Sequence, residues 1–149
     1  MRRLLVPAAA CLVTVAGCGG DAEPPSWFGQ RAELPSCGVD EPERADYPNL
    51  TARQCFREAY AADRPAELTV RNYGDEGESI RAHFRVLGDG RYEIVGQHFP
   101  GAVEYAAGQG WVRYECERFV FIDDPNPELL DAPLVDGDGA CTIVEEVSG

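Results

Sequence analysis

The sequence predicts an α+β domain: one N-terminal helix packed on a four-stranded antiparallel meander, stapled by disulfides. Three observations carry this. A helix-entry pattern near residue 51 leads into apolar residues at helical spacing. Beyond it the spacing changes to alternation, in runs separated by short polar loops. Cys37, Cys55, Cys116 and Cys141 are spread through the same region, an even set as disulfides require.

The helix comes first. Thr51-Ala52-Arg53-Gln54 has the form of a capping box, in which the threonine hydroxyl accepts from the Gln54 amide and Gln54 reaches back. Leu50 and Cys55 then stand at the staple positions. Ala52, Cys55, Phe56, Ala59 and Tyr60 form one apolar face, and the helix should run to about Ala62, ahead of Pro65. Asn49-Leu50-Thr51 also spells a glycosylation sequon, which is read here as cap chemistry.

Strands follow. From Leu68 to Tyr73, Leu68 and Val70 point inward and Thr69 and Arg71 outward. A polar loop leads to a strand from Ile80 to Leu87; Gly88-Asp89-Gly90 turns the chain, and Arg91 to His98 returns. Closing that hairpin at Leu87 opposite Arg91 fixes its register. One face then carries Ile80/His98, Ala82/Gly96, Phe84/Ile94 and Val86/Tyr92, the expected core. The other carries Arg81/Gln97, His83/Val95, Arg85/Glu93 and Leu87/Arg91, expected to be mostly solvated with an Arg85–Glu93 cross-strand pair.

Trp111 to Ile122 is the longest predicted strand, with Val112, Tyr114, Cys116, Val120 and Ile122 on one face and Arg118 as the misfit. Residues 123–149 hold eight acidic residues, no basic one and three prolines; only Cys141 to Val144 looks like a short strand. Residues 19–36 read as a tether, with a typical reach of about 25 Å and roughly 60 Å at full extension. Within it, Trp27 and Phe28 either rest in a membrane interface or pack on the domain.

Four cysteines allow three pairings. Cys55 on the apolar helix face and Cys116 on the apolar face of the last long strand should meet, which favours Cys55–Cys116 with Cys37–Cys141. Nearest-neighbour pairing, Cys37–Cys55 with Cys116–Cys141, is the rival. None of the four forms a C-x-x-C pair, so neither a zinc site nor a thioredoxin-like motif is supported.

Charge narrows the partners. The chain has 13 basic and 26 acidic residues, a formal net charge of −13. Such a polyanion is repelled by nucleic acid and by anionic lipid, so no nucleic-acid partner is expected. All 13 basic residues are arginine, beside 18 alanines, 16 glycines and 11 prolines, which reads as the codon bias of a GC-rich genome.

The N-terminus gives an address. Arg2 and Arg3 precede an apolar run from Leu4 to Val15 that ends at Ala16-Gly17-Cys18, the pattern of a secretory signal. A spanning helix needs about 20 apolar residues, so the run is too short for one. Val15-Ala16-Gly17-Cys18 resembles the lipobox of bacterial lipoproteins. That resemblance implies that Cys18 is S-diacylglycerated and becomes the first residue after cleavage. It also implies a protein exported and anchored by lipid to the outer face of the cell membrane. The implied organisation is a signal peptide at 1–17, an anchor and tether at 18–36, and a single α+β domain at 37–149 with its acidic segment at 123–149. The wider layout, with lipobox, tether, a Cys-Phe helix, a hairpin and a Trp-x4-Cys strand, resembles small actinobacterial lipoproteins. No activity comes with that likeness.

Reactive chemistry finds little footing. Cys55, His83 and His98 supply the residue types for a thiolate–imidazole pair, but cysteines of an exported chain pair with one another. The hairpin register puts His83 and His98 on opposite faces, which rules them out as joint metal ligands. Asp136-Gly137-Asp138-Gly139 is half of a calcium loop, yet Ala140 and Val147 occupy places that need oxygen ligands, so a turn is the expected use. Asp123, Asp124, Asn126 and Glu128 form a second oxygen-rich stretch, stiffened by Pro125 and Pro127. No hydrolase elbow, zincin, P-loop or dinucleotide motif is present.

The sequence thus leads to a non-catalytic, lipid-anchored envelope module that binds a protein or ligand, with no cofactor and no metal site expected. Two alternatives stand behind it. One is an envelope enzyme using surface carboxylates; the other is an acidic metal-binding or structural lipoprotein.

Overall fold

A computed structural model describes residues 23–41, 48–73, 79–97, 110–121 and 141–147. The elements in order are α1 (Ser26–Gly29), β1 (Ser36–Asp40), α2 (Leu50–Ala61), β2 (Ala66–Tyr73), β3 (Ser79–Gly88), β4 (Arg91–Gly96), β5 (Trp111–Cys116) and β6 (Cys141–Val147). The six strands form one mixed sheet in the order β1-β2-β3-β4-β5-β6. Only β1 and β2 run parallel, and the remaining neighbours are antiparallel. The four-stranded meander expected from the sequence is therefore corrected: β2 to β5 are present, and a strand is added at each edge.

The added strand β1 was hidden because Ser36-Cys37-Gly38-Val39-Asp40 is too short and too mixed to show alternation. Gly38 adopts φ 107° at a register shift, a conformation open to glycine at little cost. Parallel pairing needs a crossover, and α2 supplies it. Several links tie β1 to the start of α2. Cys37 is bonded to Cys55. Arg53 Nε donates to Asp40 Oδ2 at 2.5 Å, with both side chains buried. The Asn49 side chain donates to Val39 O at 3.0 Å.

The helix forms where its apolar spacing predicts, but its cap differs. Asn49 is the N-cap; its side-chain oxygen accepts from Ala52 N at 3.1 Å, and Asp40 Oδ1 accepts from Asn49 N at 2.6 Å. The Thr51–Gln54 capping box is not used, because the helix already includes Leu50 and Thr51. Gln54 instead donates to Glu58, one turn on. Helix entry is set by Asp40, a tertiary partner that local sequence does not reveal.

Ala52, Phe56 and Ala59 of α2 bury against Leu68, Val70, Ala82, Phe84, Val86 and Ile94 of the sheet. The hairpin register holds as predicted from Ala82/Gly96 to Val86/Tyr92; at the tip Gly88, not Leu87, lies opposite Arg91. Asp89 and Gly90 turn the chain, both at positive φ. Gly90 N donates to Asp63 Oδ2 at 2.9 Å, fastening the tip to the end of α2. Gly96 has no room for a side chain: a Cβ there would sit 2.3 Å from Arg81 O.

The long strand predicted to Ile122 ends at Cys116. The chain then folds back over α2. Phe119, 4% exposed, joins a cluster with Phe56, Tyr60, Phe84, Tyr92 and Phe121 at centroid separations of 4.8 to 6.5 Å. Phe119 N also donates to Tyr60 Oη at 3.2 Å. The reading that placed Val120 on the core face is overturned, since Phe119 and not Val120 is buried against α2, and Ile122 of the same reading lies outside the described residues. Strand β6 reaches Val147, beyond the short strand expected at 141–144, with a register shift between Arg113 and Tyr114.

The disulfides are Cys37–Cys55 and Cys116–Cys141. The favoured Cys55–Cys116 bridge is overturned in favour of nearest-neighbour pairing. The helix does pack on the sheet, but Cys55 sits over β1 at one edge while Cys116 pairs with Cys141 at the other. Sharing a buried layer did not bring the two into reach.

Candidate functional site

The second face of the sheet holds the polar chemistry. Strand alternation puts Glu67 and Thr69 of β2, His83 and Arg85 of β3, Glu93 and Val95 of β4, and Trp111 and Arg113 of β5 on the side away from α2. This face was expected to be solvated. Arg85 is 1% exposed, Val95 1%, Glu93 6% and His83 8%.

The N-terminal segment covers them. Of the stretch 18–36 expected to act as anchor and tether, residues 23–36 are described, and from Ser26 they lie across the sheet. Phe28 of α1 packs on Trp111 with centroids 4.4 Å apart and on His83 at 5.3 Å. The Arg31 guanidinium lies 3.7 Å from the Phe28 ring centroid and donates to Phe28 O at 2.8 Å. Arg31 also reaches Glu67 at 3.6 Å. Beneath, Arg85 bonds Glu93 and donates to Ala32 O, and its Nε lies 2.9 Å from Glu67 Oε2. The predicted Arg85–Glu93 pair is thus present, but as part of a buried network.

Burial alone would raise the pKa of Glu67. The His83 hydrogen bond and the charges of His83, Arg31 and Arg85 outweigh it and hold this carboxyl at about 2, against an ordinary value of 4.5. Glu67 is therefore an anion at any working pH. His83 Nδ1 lies 3.1 Å from Glu67 Oε1 and 3.1 Å from Thr69 Oγ1. With Glu67 ionised, Nδ1–H donates to it. A nucleophile–histidine–carboxylate relay needs its hydroxyl and its carboxylate on opposite ring nitrogens, whereas here both meet Nδ1. The arrangement fixes the ring; it does not activate Thr69.

Two shallow clefts flank the covering segment. One, of about 290 Å³, is lined by Gly29, Arg31, Ala32, Glu33, Leu34 and Glu67. The other, of about 250 Å³, lies between Trp27, Gln30 and Arg31 of the segment and Glu93, Val95, Arg113 and Glu145 of the sheet. They lie at or just under the lower end of the roughly 300–1,000 Å³ usual for small-molecule sites. Arg113 Nε pairs with Glu145 Oε2 at 3.0 Å across β5 and β6.

The four cysteines proposed as disulfide residues are all in bridges, and none is left as a thiol nucleophile. Cys18, His98, the Asp123–Glu128 stretch and the Asp136–Asp138 half-loop lie outside the described residues. Among the described residues no group of three His, Cys, Asp or Glu is placed to hold a metal ion, and no helix is long and apolar enough to cross a membrane. Sequence reasoning missed Glu67, Thr69 and Arg31 as one cluster. A continuous polar parity along β2 and β3 was the available signal, but nothing local said that it would be covered.

No family model matches the chain, and neither the curated proteins nor the solved structures contain a match to it.

Proposed function

We propose that the chain is a lipid-anchored, non-catalytic lipoprotein of the cell envelope that acts as an interaction module. The sequence Val15-Ala16-Gly17-Cys18, closing an apolar run behind two arginines, carries the anchor. The mutual pairing of Glu67, His83, Arg85 and Glu93 supports the non-catalytic part, since their charges face one another and the covering segment, with Arg85 Nε held by charge alone and without a hydrogen bond. Among the described residues the two clefts are small and open, which supports a macromolecular partner over an enclosed small ligand.

Intact mass of the membrane-extracted protein tests the anchor. A diacylglyceryl adduct on Cys18, with Cys18→Ala released from membranes or blocked in maturation, is the expected result. Two or more acyl chains hold stably, whereas a single chain gives only marginal binding. An unmodified Cys18 sinks the reading. Crosslinking and affinity capture with the folded chain test the module: a partner bound at fixed stoichiometry is expected, and turnover of an envelope polymer would replace it with the enzyme alternative.

A further inference from the structure

We infer that the α1 side of the domain is held against the membrane, with Trp27 seated at the headgroup level of the bilayer. This rests on the lipid anchor proposed at Cys18. The structure shortens the link between that cysteine and the domain. The 19–36 stretch, taken as a tether from its composition, would let the domain range about 25 Å from the surface. With the chain packed on the sheet from Ser26, eight residue steps separate Cys18 from the domain, a typical coil reach of about 16 Å and at most about 29 Å at full extension. A folded domain of roughly 110 residues has a radius of gyration of about 13 Å, so the typical reach of this link is close to the domain's own radius. The side on which the chain enters must stay next to the lipid.

That side has suitable chemistry. Phe28 is committed to His83 and Trp111, while its neighbour Trp27, edge-on to Phe28 at 6.4 Å, keeps part of its ring exposed on the rim of the cleft. Val147, 43% exposed, stands opposite Trp111 in the β5–β6 ladder and so lies on the same face. Arg31 and Arg113 line the same cleft as Trp27 but are paired with Glu67 and Glu145, so the ring carries the contact. Tryptophan suits the boundary between acyl chains and headgroups. The formal net charge of −13 argues against attraction to anionic lipid, so the contact depends on the short link and on the aromatic ring.

The test uses the lipidated full chain in phosphatidylcholine vesicles carrying brominated acyl chains. Tryptophan emission should be quenched in the native protein. Trp27→Phe, which keeps an aromatic ring beside Phe28, should remove the quenching with little change in melting temperature, because Trp111 is shielded beneath Phe28. Inserting about ten Gly/Ser residues between Ala22 and Glu23 should also weaken it, by freeing the domain to move away. Vesicle-bound protein whose emission is unquenched overturns the inference and leaves the lipoprotein reading intact. Protein that fails to float with vesicles and carries an unmodified Cys18 brings down both.

Discussion

Glu67 Oε1 lies 3.1 Å from His83 Nδ1, on the sheet face that α1 covers. The two residues join neighbouring strands β2 and β3, and the same carboxylate also meets Arg85 and Arg31. A single carboxylate thus ties the sheet to the N-terminal segment, and several consequences can be measured.

Acid should weaken the fold through Glu67. Its folded-state pKa of about 2 lies below the ordinary 4.5, so the folded protein holds that proton less tightly than the unfolded chain. The stabilisation is complete above about pH 4.5 and drains away as pH falls towards about 2. Discounted for partial solvent screening, it amounts to about 2 kcal/mol. Denaturant titrations at neutral pH and near pH 3 should show a smaller acid loss in Glu67→Gln than in the native chain. Equal losses would place the acid sensitivity elsewhere.

Arg85→Met should be among the most damaging substitutions, costing about 3–5 kcal/mol, because it strips the buried Glu93 carboxylate of its cation and leaves Glu67 with Arg31 and His83 alone. Adding Glu93→Gln should restore part of the loss by removing one orphaned charge. Chemical denaturation of the single and double variants checks this; a double variant less stable than the single would contradict it.

The segment from Ser26 is structural. A chain beginning at Pro35 should melt well below one beginning at Glu23, since it uncovers Val95, Trp111 and the Arg85 network. Phe28→Ala should cost about 2–3 kcal/mol, less than full burial would imply, because Phe28 is only half-buried. Identical melting of the two chains would return the segment to the role of a tether.

Gly96→Ala should destabilise by about 2 kcal/mol or more, because the new methyl meets the β3 backbone at Arg81 and Ala82. Thermal unfolding measures it. A neutral result would mean that β3 and β4 can move apart at that point.

Non-reducing peptide mapping should recover Cys37–Cys55 and Cys116–Cys141 peptides. Cys37 and Cys55 are 18 residues apart, and opening that bridge with a Cys37→Ala, Cys55→Ala pair should cost about 3 kcal/mol in the chain-entropy account. A Cys55–Cys116 peptide would contradict the fold.

Local spacing was enough for the elements that answer to local forces. The apolar face of α2 through Ala52, Phe56 and Ala59 and the inward Leu68 and Val70 follow from helical and strand periods. The hairpin register below its tip follows from the Gly88-Asp89-Gly90 turn signal, although the tip itself closes at Gly88 opposite Arg91 and a register shift at Leu87 restores the pairing expected. Tertiary structure decided the rest. Alternation sorts side chains into two faces but does not say whether a second layer will cover the polar one; His83, Arg85 and Glu93 are buried because residues 26–34 cross them and their charges balance. Asn49 caps α2 in place of Thr51 because Asp40, nine residues back, holds its backbone. Cysteine pairing turned on lateral position in the sheet: Cys55 sits over one edge and Cys116 at the other, and a face assignment carries no information about the direction across the strands.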